Sequence, residues 1–330
     1  MNNEQPHNAR SEYVVAIDVG GTAIKAGLWD RDGRRARWET LPTKPEQGPT
    51  AVVDRILTLA RVLPERGAGV GVNIHALGIA ITGAIDEANG IVVSSDNLGW
   101  RKIPLRTLLA DALRVPVTVG HDVRLAAFAE ALIGAGRDCS DFLFITFGTD
   151  IGGACIVNGD VYRGAHGKAG ELGHVVVDPD GASCVCGGRG CLATVSSVRA
   201  IERYYVTLGG EPLSAREIVS RAGQHDVLAR AVWDKAVGGL AKVIYDYAVT
   251  FDPDRIIIGG GLSHVGPTLF DPLRARLAVT PHWAHPVHVI PAALGNQAGA
   301  VGAAMRAWLD LGMERERLVA NTARWMGDET

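Results

Sequence analysis

The sequence predicts an α/β chain built from two related halves. Short β-branched runs recur along its 330 residues, most of them ending in glycine, with helical apolar spacing between them. The pattern also restarts partway along. Val14–Ile17 runs through Asp18 into Gly20–Gly21 before a second strand, and Phe142–Phe147 runs into Gly148–Thr149 before another. Forty-one glycines, against ~7% in an average chain, fit many tight turns or close backbone approaches.

Val14–Ile17 is the first strand, and Ile24–Trp29 pairs with it as a hairpin. Val52–Leu63 has helical spacing. Ala76–Ile81 is a strand ending at Thr82-Gly83, and Val117–Val119 is a short one running into His121-Asp122. Leu125–Ile133, rich in Ala and Leu, reads as a helix that begins close to Asp122. Phe142–Phe147 and Gly152–Val157 are the strands of the second half, and residues 194–250 are helical in pattern. Arg255–Ile258 is a strand closed by Gly259-Gly260-Gly261. Val287–Pro291 is a further strand, followed by Gly295 and a helix from about 300. The halves join near residue 122, with no linker composition between them, so a shared interface with a cleft is expected.

Thirty-three Lys+Arg against thirty-six Asp+Glu leave a net charge of −3, which argues against nucleic acid or an anionic membrane as the main partner. A hydrophobic fraction of 47% excludes global disorder. No apolar run approaches the ~18 residues of a membrane span. Residues 1–11 read as a flexible polar arm without the apolar stretch of a signal peptide, so a cytoplasmic location is expected. In that reducing compartment the five cysteines point to metal or catalysis before disulfides.

Five motifs carry chemistry. In Asp18-Val19-Gly20-Gly21-Thr22, glycines directly after a strand let backbone N–H groups approach phosphate, Thr22 adds a hydroxyl, and Asp18 suits Mg²⁺ or its water shell. An ordinary hairpin turn with an Asx residue is the plainer alternative. The motif is neither a Walker loop nor Gly-x-Gly-x-x-Gly, which disfavours a dinucleotide-binding fold. Gly148-Thr149 in the second half is a matching turn, and two such loops can grip one polyphosphate. Gly259-Gly260-Gly261 allows a flat group such as a nucleobase to lie against the backbone.

The fourth motif is the strongest. His174 is followed by Cys184, Cys186 and Cys191, with nine, one and four residues between them, a four-ligand set suited to tetrahedral Zn²⁺. Four protein ligands close the site, so the zinc is expected to be structural. A cysteine pair with an unrelated histidine is the alternative. Finally, Asp122 at a strand–helix junction is placed to accept a proton from a hydroxyl attacking phosphorus, or simply to cap the helix.

Taken together, these residues resemble the ROK family of bacterial glucokinase-like sugar kinases and related repressors. The resemblance runs from Asp18 to about Gly302 and includes Asn97-Leu98-Gly99-Trp100, Gly170-Glu171-Leu172-Gly173-His174 and Cys184-Val185-Cys186-Gly187-Gly188-Arg189-Gly190-Cys191. It implies the two-domain actin-like ATPase (ribonuclease H-like) fold, with an interdomain cleft and a structural zinc knuckle. It implies a small domain over 12–122, completed by a C-terminal helix at about 308–330, and a large domain over 123–307. ATP with Mg²⁺ would meet Asp18, Gly20, Gly21, Thr22, Gly148, Thr149, Gly259, Gly260 and Gly261. The sugar would meet Gly83, His121, Asp122, Glu171 and His174, with Asp122 as general base and His174 also on zinc. A homo-oligomer, dimer or tetramer, is the implied assembly.

Three positions depart from the family pattern. His121 stands for Asn, Asp150 for Gly, and Ala193 for Glu. A hydrogen bond to a charged group is worth about 1.5–3 kcal/mol, so the missing carboxylate at 193 would weaken glucose binding roughly 10- to 100-fold unless a neighbour compensates. The expected substrate is therefore glucose, an aminosugar such as kanosamine or an N-acetylhexosamine, or a C7-cyclitol. A degenerate sugar or nucleotide sensor is the non-enzyme alternative. A repressor is disfavoured because only about a dozen residues precede the first strand.

Overall fold

The computed structural model describes residues 12–69, 72, 74–224, 226–278 and 286–327; the arm expected over 1–11 lies outside them. In chain order the first strands are β1 (Tyr13–Val19), β2 (Ala23–Asp30) and β3 (Arg35–Pro42), then helix α1 (Pro49–Ala68). Next come β4 (Ile74–Ile81), β5 (Ala84–Asp86), β6 (Ile91–Ser95), β7 (Trp100–Ile103), α2 (Leu105–Leu113), β8 (Val117–His121) and α3 (Asp122–Ile133). Then follow β9 (Phe142–Phe147), β10 (Ile151–Val157), β11 (Asp160–Tyr162), and helices α4 (Leu192–Ser196), α5 (Val198–Thr207), α6 (Ala215–Ala222) and α7 (Val227–Phe251). The chain ends with β12 (Arg255–Gly259), α8 (Pro267–Leu277), β13 (Val289–Pro291), α9 (Ala298–Asp310), α10 (Arg315–Ala320) and α11 (Thr322–Met326).

The chain divides into two compact units. One runs to Ala129 and resumes at Gln297; the other is Glu130–Asn296. The first sheet has the order β3-β2-β1-β4-β8, antiparallel from β1 outward through β2 and β3, parallel through β4 and β8. The second has the order β11-β10-β9-β12-β13 with the same directions. The restart of the sequence pattern is therefore a repeat of topology. The first unit adds a small antiparallel sheet, β5-β6-β7.

Both faces of β1 are covered, as a strand pairing with a parallel neighbour requires. Val15, Ile17 and Val19 join Val52, Ile56 and Leu59 of α1 in one core. The alternate residues face α9, which packs on β1, β4 and β8. That packing is close. A Cβ at Gly302 of α9 would lie 1.9 Å from the carbonyl oxygen of Leu125 in α3. We expect Gly302→Ala to cost about 1–3 kcal/mol, since helix backbones must part to admit it. Gly238→Ala in α7, where a Cβ meets nothing within 4 Å, is expected to stabilise by about 0.5–1 kcal/mol. Thermal melting of the two variants checks both signs.

The C-terminal return explains where the units divide. The sequence places the boundaries at 122/123 and 307/308, with one helix over 308–330. Because α9 packs on the first sheet along its length, the return begins at Gln297, and α3 carries the chain to Ala129 before the unit ends. The expected single C-terminal helix is instead the end of α9 followed by α10 and α11. Gly312 at φ +88° breaks the run. Just past the boundary in α3, Glu130 is fully buried. It accepts N–H bonds from Ala135 (2.7 Å), Ala293 (3.2 Å) and Leu294 (2.8 Å). Burial pushes its carboxyl up, and those three donors oppose the shift.

In the second unit the helical region is four helices, each of the last three opened by a side-chain cap. Ser197, Ser214 and Asp226 accept from the N–H groups of Ala200, Glu217 and Ala229. α7 carries the core face, with Trp233 against Phe147 at 6.2 Å between ring centroids. No helix among the described residues is long and apolar enough to cross a membrane.

Candidate active site

In the first unit, the functional groups gather at the carboxyl ends of the parallel strands. Asp18 of β1 lies level with Ala80 of β4, and Ala80 with Gly120 of β8, so Asp18 and Asp122 stand about 10 Å apart in the sheet direction before their side chains reach out. The turn after β1 is held by Thr43, which is buried. Its hydroxyl donates to the Gly20 carbonyl (2.7 Å), and its N–H to the Thr22 carbonyl (2.9 Å). Gly20 N–H closes the turn on Ala23 (3.0 Å). The N–H groups of Gly21 and Thr22 donate to no acceptor among the described residues. Two amide donors left over at a strand end suit an anion. Asn97 packs on this turn, 3.0 Å from where a Cβ of Gly21 would stand.

The Asp18 carboxylate is 13% exposed and lies against Gly299 in the first turn of α9. Lys25, its cross-strand partner, reaches it at 3.4 Å. Burial raises the Asp18 pKa to about 6, opposed by Lys25 and reinforced by the charge of Asp122. Asp122 is also raised to about 6 by burial, against the pull of the Val123 N–H, Lys25 and Arg124. Its Oδ1 accepts that N–H at 2.8 Å, and its side chain keeps 25% of its surface open. Asp122 is thus both helix N-terminus and accessible carboxylate.

His121 is buried, with Nδ1 3.5 Å from Asp122 Oδ1. Its backbone N–H donates to Glu87 Oε1 (3.2 Å), which also takes Arg124 Nη1 (3.2 Å). Glu87, Arg124, Lys25 and Thr43 were not legible as site residues, because only the fold brings them to these strand ends. Gly83 has φ +119°, and a Cβ there would fall 2.3 Å from the Ser94 carbonyl, so the position admits only glycine.

The second unit holds the remaining groups in two clusters. β9 and β12 are parallel neighbours, which brings Gly148-Thr149 beside Gly259-Gly260-Gly261. Gly260, at φ +87°, approaches Phe147 so closely that a Cβ would lie 2.6 Å from its oxygen. Asp150 is exposed, and its Oδ1 accepts the N–H of Ile151 (2.9 Å), so one carboxylate oxygen is spent on its own turn. Next to the short turn Gly261–Val265 lies a cavity of about 360 Å³ lined by Arg216, Val219, Ser220, His264, Val265 and Thr268.

The other cluster is Glu171–His174 with the cysteines. Leu172, fully buried, anchors the Gly170–His174 segment over β10, leaving Glu171 and His174 exposed on either side. His174 Nδ1 lies 3.6 Å from Cys184 Sγ, and Cys186 Sγ lies 3.7 Å from Cys191 Sγ. All four ligand atoms fall within 4.8 Å of one another. Bonds of about 2.3 Å to sulfur and 2.0–2.1 Å to nitrogen place tetrahedral ligand atoms roughly 3.5–3.8 Å apart. The set therefore fits a four-coordinate metal ion. Ala193 lies in the first turn of α4, two residues after Cys191, with its Cβ 3.5 Å from where a Cβ of Gly173 would stand. The departure from Glu is thus adjacent to the His174 turn.

Two α/β units of one strand order, with glycine turns and carboxylates at strand ends, define a phosphotransferase of the actin-like class. Residues 14–308 match the ROK family, and the chain belongs to it. It is 34% identical over 308 residues to a glucokinase of Thermotoga maritima, covering 88% of this chain and 96% of that one. It is 32% identical over 297 residues to an N-acetylmannosamine kinase of Shigella boydii, covering 89% and 98%. A ROK family glucokinase from Streptomyces griseus, solved in complex with glucose and AMPPNP, superimposes with a TM-score of 0.77 at 32% identity over 90% of this chain and 99% of that one.

Proposed function

We propose that this chain is an ATP-dependent sugar kinase that transfers the γ-phosphoryl group to a primary, 6-position-type hydroxyl of a hexose or hexose-like polyol. The observation that carries the reading is the Asp122 carboxylate, accessible at the end of β8 with a pKa raised to about 6. At pH 7 such a group is roughly nine-tenths ionised, yet basic enough to take a proton. Asp122 accepts the hydroxyl proton as that oxygen attacks the γ-phosphorus in line and ADP leaves. Gly83, His121, Glu171 and His174 hold the sugar. The amides and hydroxyl of Gly20, Gly21 and Thr22 take phosphate, as do Gly148 and Thr149, and Asp18 faces the Mg²⁺ that travels with ATP. Gly259–Gly261 suit the adenosine, because glycines let a flat group lie against the backbone.

Zinc on His174, Cys184, Cys186 and Cys191 is the resident metal in this reading. With four protein ligands it supplies structure rather than a reactive water. His174 keeps its second ring nitrogen for a sugar hydroxyl. The protein acts in the cytoplasm as a homo-oligomer, dimer or tetramer, on a small molecule rather than nucleic acid or membrane.

Ala193 supports a pocket tuned away from glucose, because a methyl stands beside Gly173, next to His174 in the chain, where the family places a carboxylate. An aminosugar (kanosamine, an N-acetylhexosamine) or a C7-cyclitol is then the preferred acceptor. ADP release with ATP·Mg²⁺ against glucose, mannose, N-acetylmannosamine, N-acetylglucosamine, 3-amino-3-deoxyglucose and a C7-cyclitol tests this. We expect one of the modified sugars to exceed glucose in kcat/KM by about 10-fold or more. Glucose in first place makes the protein a glucokinase that tolerates Ala193. No stimulation by any of them leaves the sensor alternative.

A further inference from the structure

We propose that Glu87 is a positioning residue for Asp122. Its carboxylate holds the His121 backbone on one side of Asp122 and the Arg124 guanidinium on the other, which keeps that guanidinium off the carboxylate that takes the substrate proton. The inference rests on the sugar-kinase reading and deepens it. Glu87 begins the turn between β5 and β6, and that turn is fixed twice over. Asp86 accepts the N–H (3.1 Å) and the side-chain amide (2.8 Å) of Asn89, which closes the turn on itself. Arg106 of α2 donates to the carbonyls of Glu87 (2.7 Å), Ala88 (2.7 Å) and Val117 (3.2 Å), so one guanidinium clamps the turn to the first residue of β8. The Glu87 side chain therefore starts from backbone with little freedom, and its carboxylate meets the last residue of β8.

Two bonds are made there. β8 is the last strand of its sheet, so its outer backbone groups have no neighbouring strand to bond. Glu87 Oε1 accepts one of them, the His121 N–H, at 3.2 Å. The same oxygen accepts Arg124 Nη1 at 3.2 Å. The Arg124 side chain is 4% exposed and that of Glu87 18%, so this is a largely covered ion pair. A guanidinium so deeply covered needs an opposite charge. Asp122, two residues before it in the chain, is the competing carboxylate. An arginine in contact lowers an aspartate pKa by about 1–3, and a carboxylate neutralised in that way is a poor base. Asp122 is spared this. Burial raises its pKa to about 6, and Arg124 pulls against that less than the Val123 N–H or Lys25 does, although it belongs to the same first turn of α3. The other charged or titratable groups around Asp122, among the described residues, are Asp18 of β1, Lys25 of β2 and His121 of β8. Lys25 holds Asp18 at 3.4 Å. The competition for Arg124 is thus between Glu87 and Asp122, and the structure shows Glu87 holding it.

The test compares wild type with Glu87→Gln and with the double variant Glu87→Gln/Arg124→Met, using the acceptor the wild type turns over best. Glu87→Gln keeps an acceptor for the His121 N–H and removes only the charge. The pH profile of kcat/KM, kcat at pH 8, the melting temperature and calorimetric affinities for sugar and ATP·Mg²⁺ are measured on each protein. We expect Glu87→Gln to move the acid limb down by about one pH unit or more and to lower kcat about 3- to 10-fold, with both affinities within about threefold of wild type. The double variant is expected to return the limb to within about 0.3 of its wild-type position, because no guanidinium is left to pair with Asp122. A wild-type limb and kcat in Glu87→Gln overturn the assignment while leaving the kinase reading intact. A lowered limb that the double variant does not restore overturns it too, because Arg124 is then not the cause. An unmoved limb with equal losses of both affinities and a lower melting temperature overturns it in favour of a structural role. A wild type that releases no ADP with any acceptor overturns both readings together.

Discussion

Asp122→Asn is expected to lower sugar-dependent ADP release by about 10²–10⁴-fold while the affinity for the sugar stays within a few-fold of wild type. The substitution is nearly isosteric. Asn can still accept the Val123 N–H that Asp122 takes at 2.8 Å, so α3 keeps its first hydrogen bond. What disappears is the capacity to take a proton. The pH dependence is the companion measurement. In the wild type kcat/KM should fall about tenfold per pH unit below about 6, because the protonated carboxyl cannot act as a base. Asp18 titrates in the same range and lies within its field, so the limb belongs to the pair.

The same shift makes a statement about stability. A folded pKa of about 6 against 3.8 in the unfolded chain means that the native state binds more protons between those values. The stability this group contributes is therefore fully present below about pH 4 and lost as pH rises through about 6. At pH 8 the ionised, half-enclosed carboxylate is a cost that Asn does not carry. Asp122→Asn should melt at or above the wild-type temperature at pH 8, so that activity and stability move in opposite directions. Near-normal turnover removes Asp122 from its assigned role, and a large drop in melting temperature makes it a structural residue instead.

The strands ending in glycine were legible because β-branched runs and glycine turns are local signals, and β1, β2, β4, β9 and β12 lie where the pattern places them. Val287–Pro291 shortens to Val289–Pro291, an end strand that pairs with β12 over three residues. What escaped has a common cause. β3 is an edge strand whose residues Arg35–Pro42 are half or fully exposed, so it lacks an apolar run. β5, β6 and β7 are three to five residues each and gain their order from one another. Glu87 and Thr43 sit in unremarkable polar stretches, and only the pairing of distant strands brings them to His121 and Gly20. The cysteine cluster was the opposite case, since its ligands are close in sequence and its chemistry is narrow.

That cluster carries the second large effect. Cys186→Ser, or treatment with a strong chelator, is expected to remove about one zinc per chain and to lower the melting temperature of the protein by several degrees or more. The loop from Cys184 to Cys191 has little apolar burial of its own. Val185 is 83% exposed and Cys186 is exposed, while Cys191 is buried at the start of α4. Backbone bonds from Cys184 to Gly188 (2.9 Å) and from Leu192 to Val175 (2.8 Å) shape the knuckle, but four ligand atoms 3.6–3.7 Å apart in two pairs are thiols and an imidazole held close for no other evident gain. A bound metal ion would turn that crowding into the main tie between the loop and the His174 turn. Because Glu171 lies three residues before His174, loss of the ion should also weaken sugar binding about 10-fold or more, through misplaced ligands rather than a lost contact. Cys139→Ser and Cys155→Ser, outside the cluster, should leave the zinc content unchanged and so separate ligand loss from the general effect of removing a thiol. A zinc-free preparation with the wild-type melting temperature and sugar affinity would show that the four residues meet for packing alone, and the glycines around them would then need another explanation.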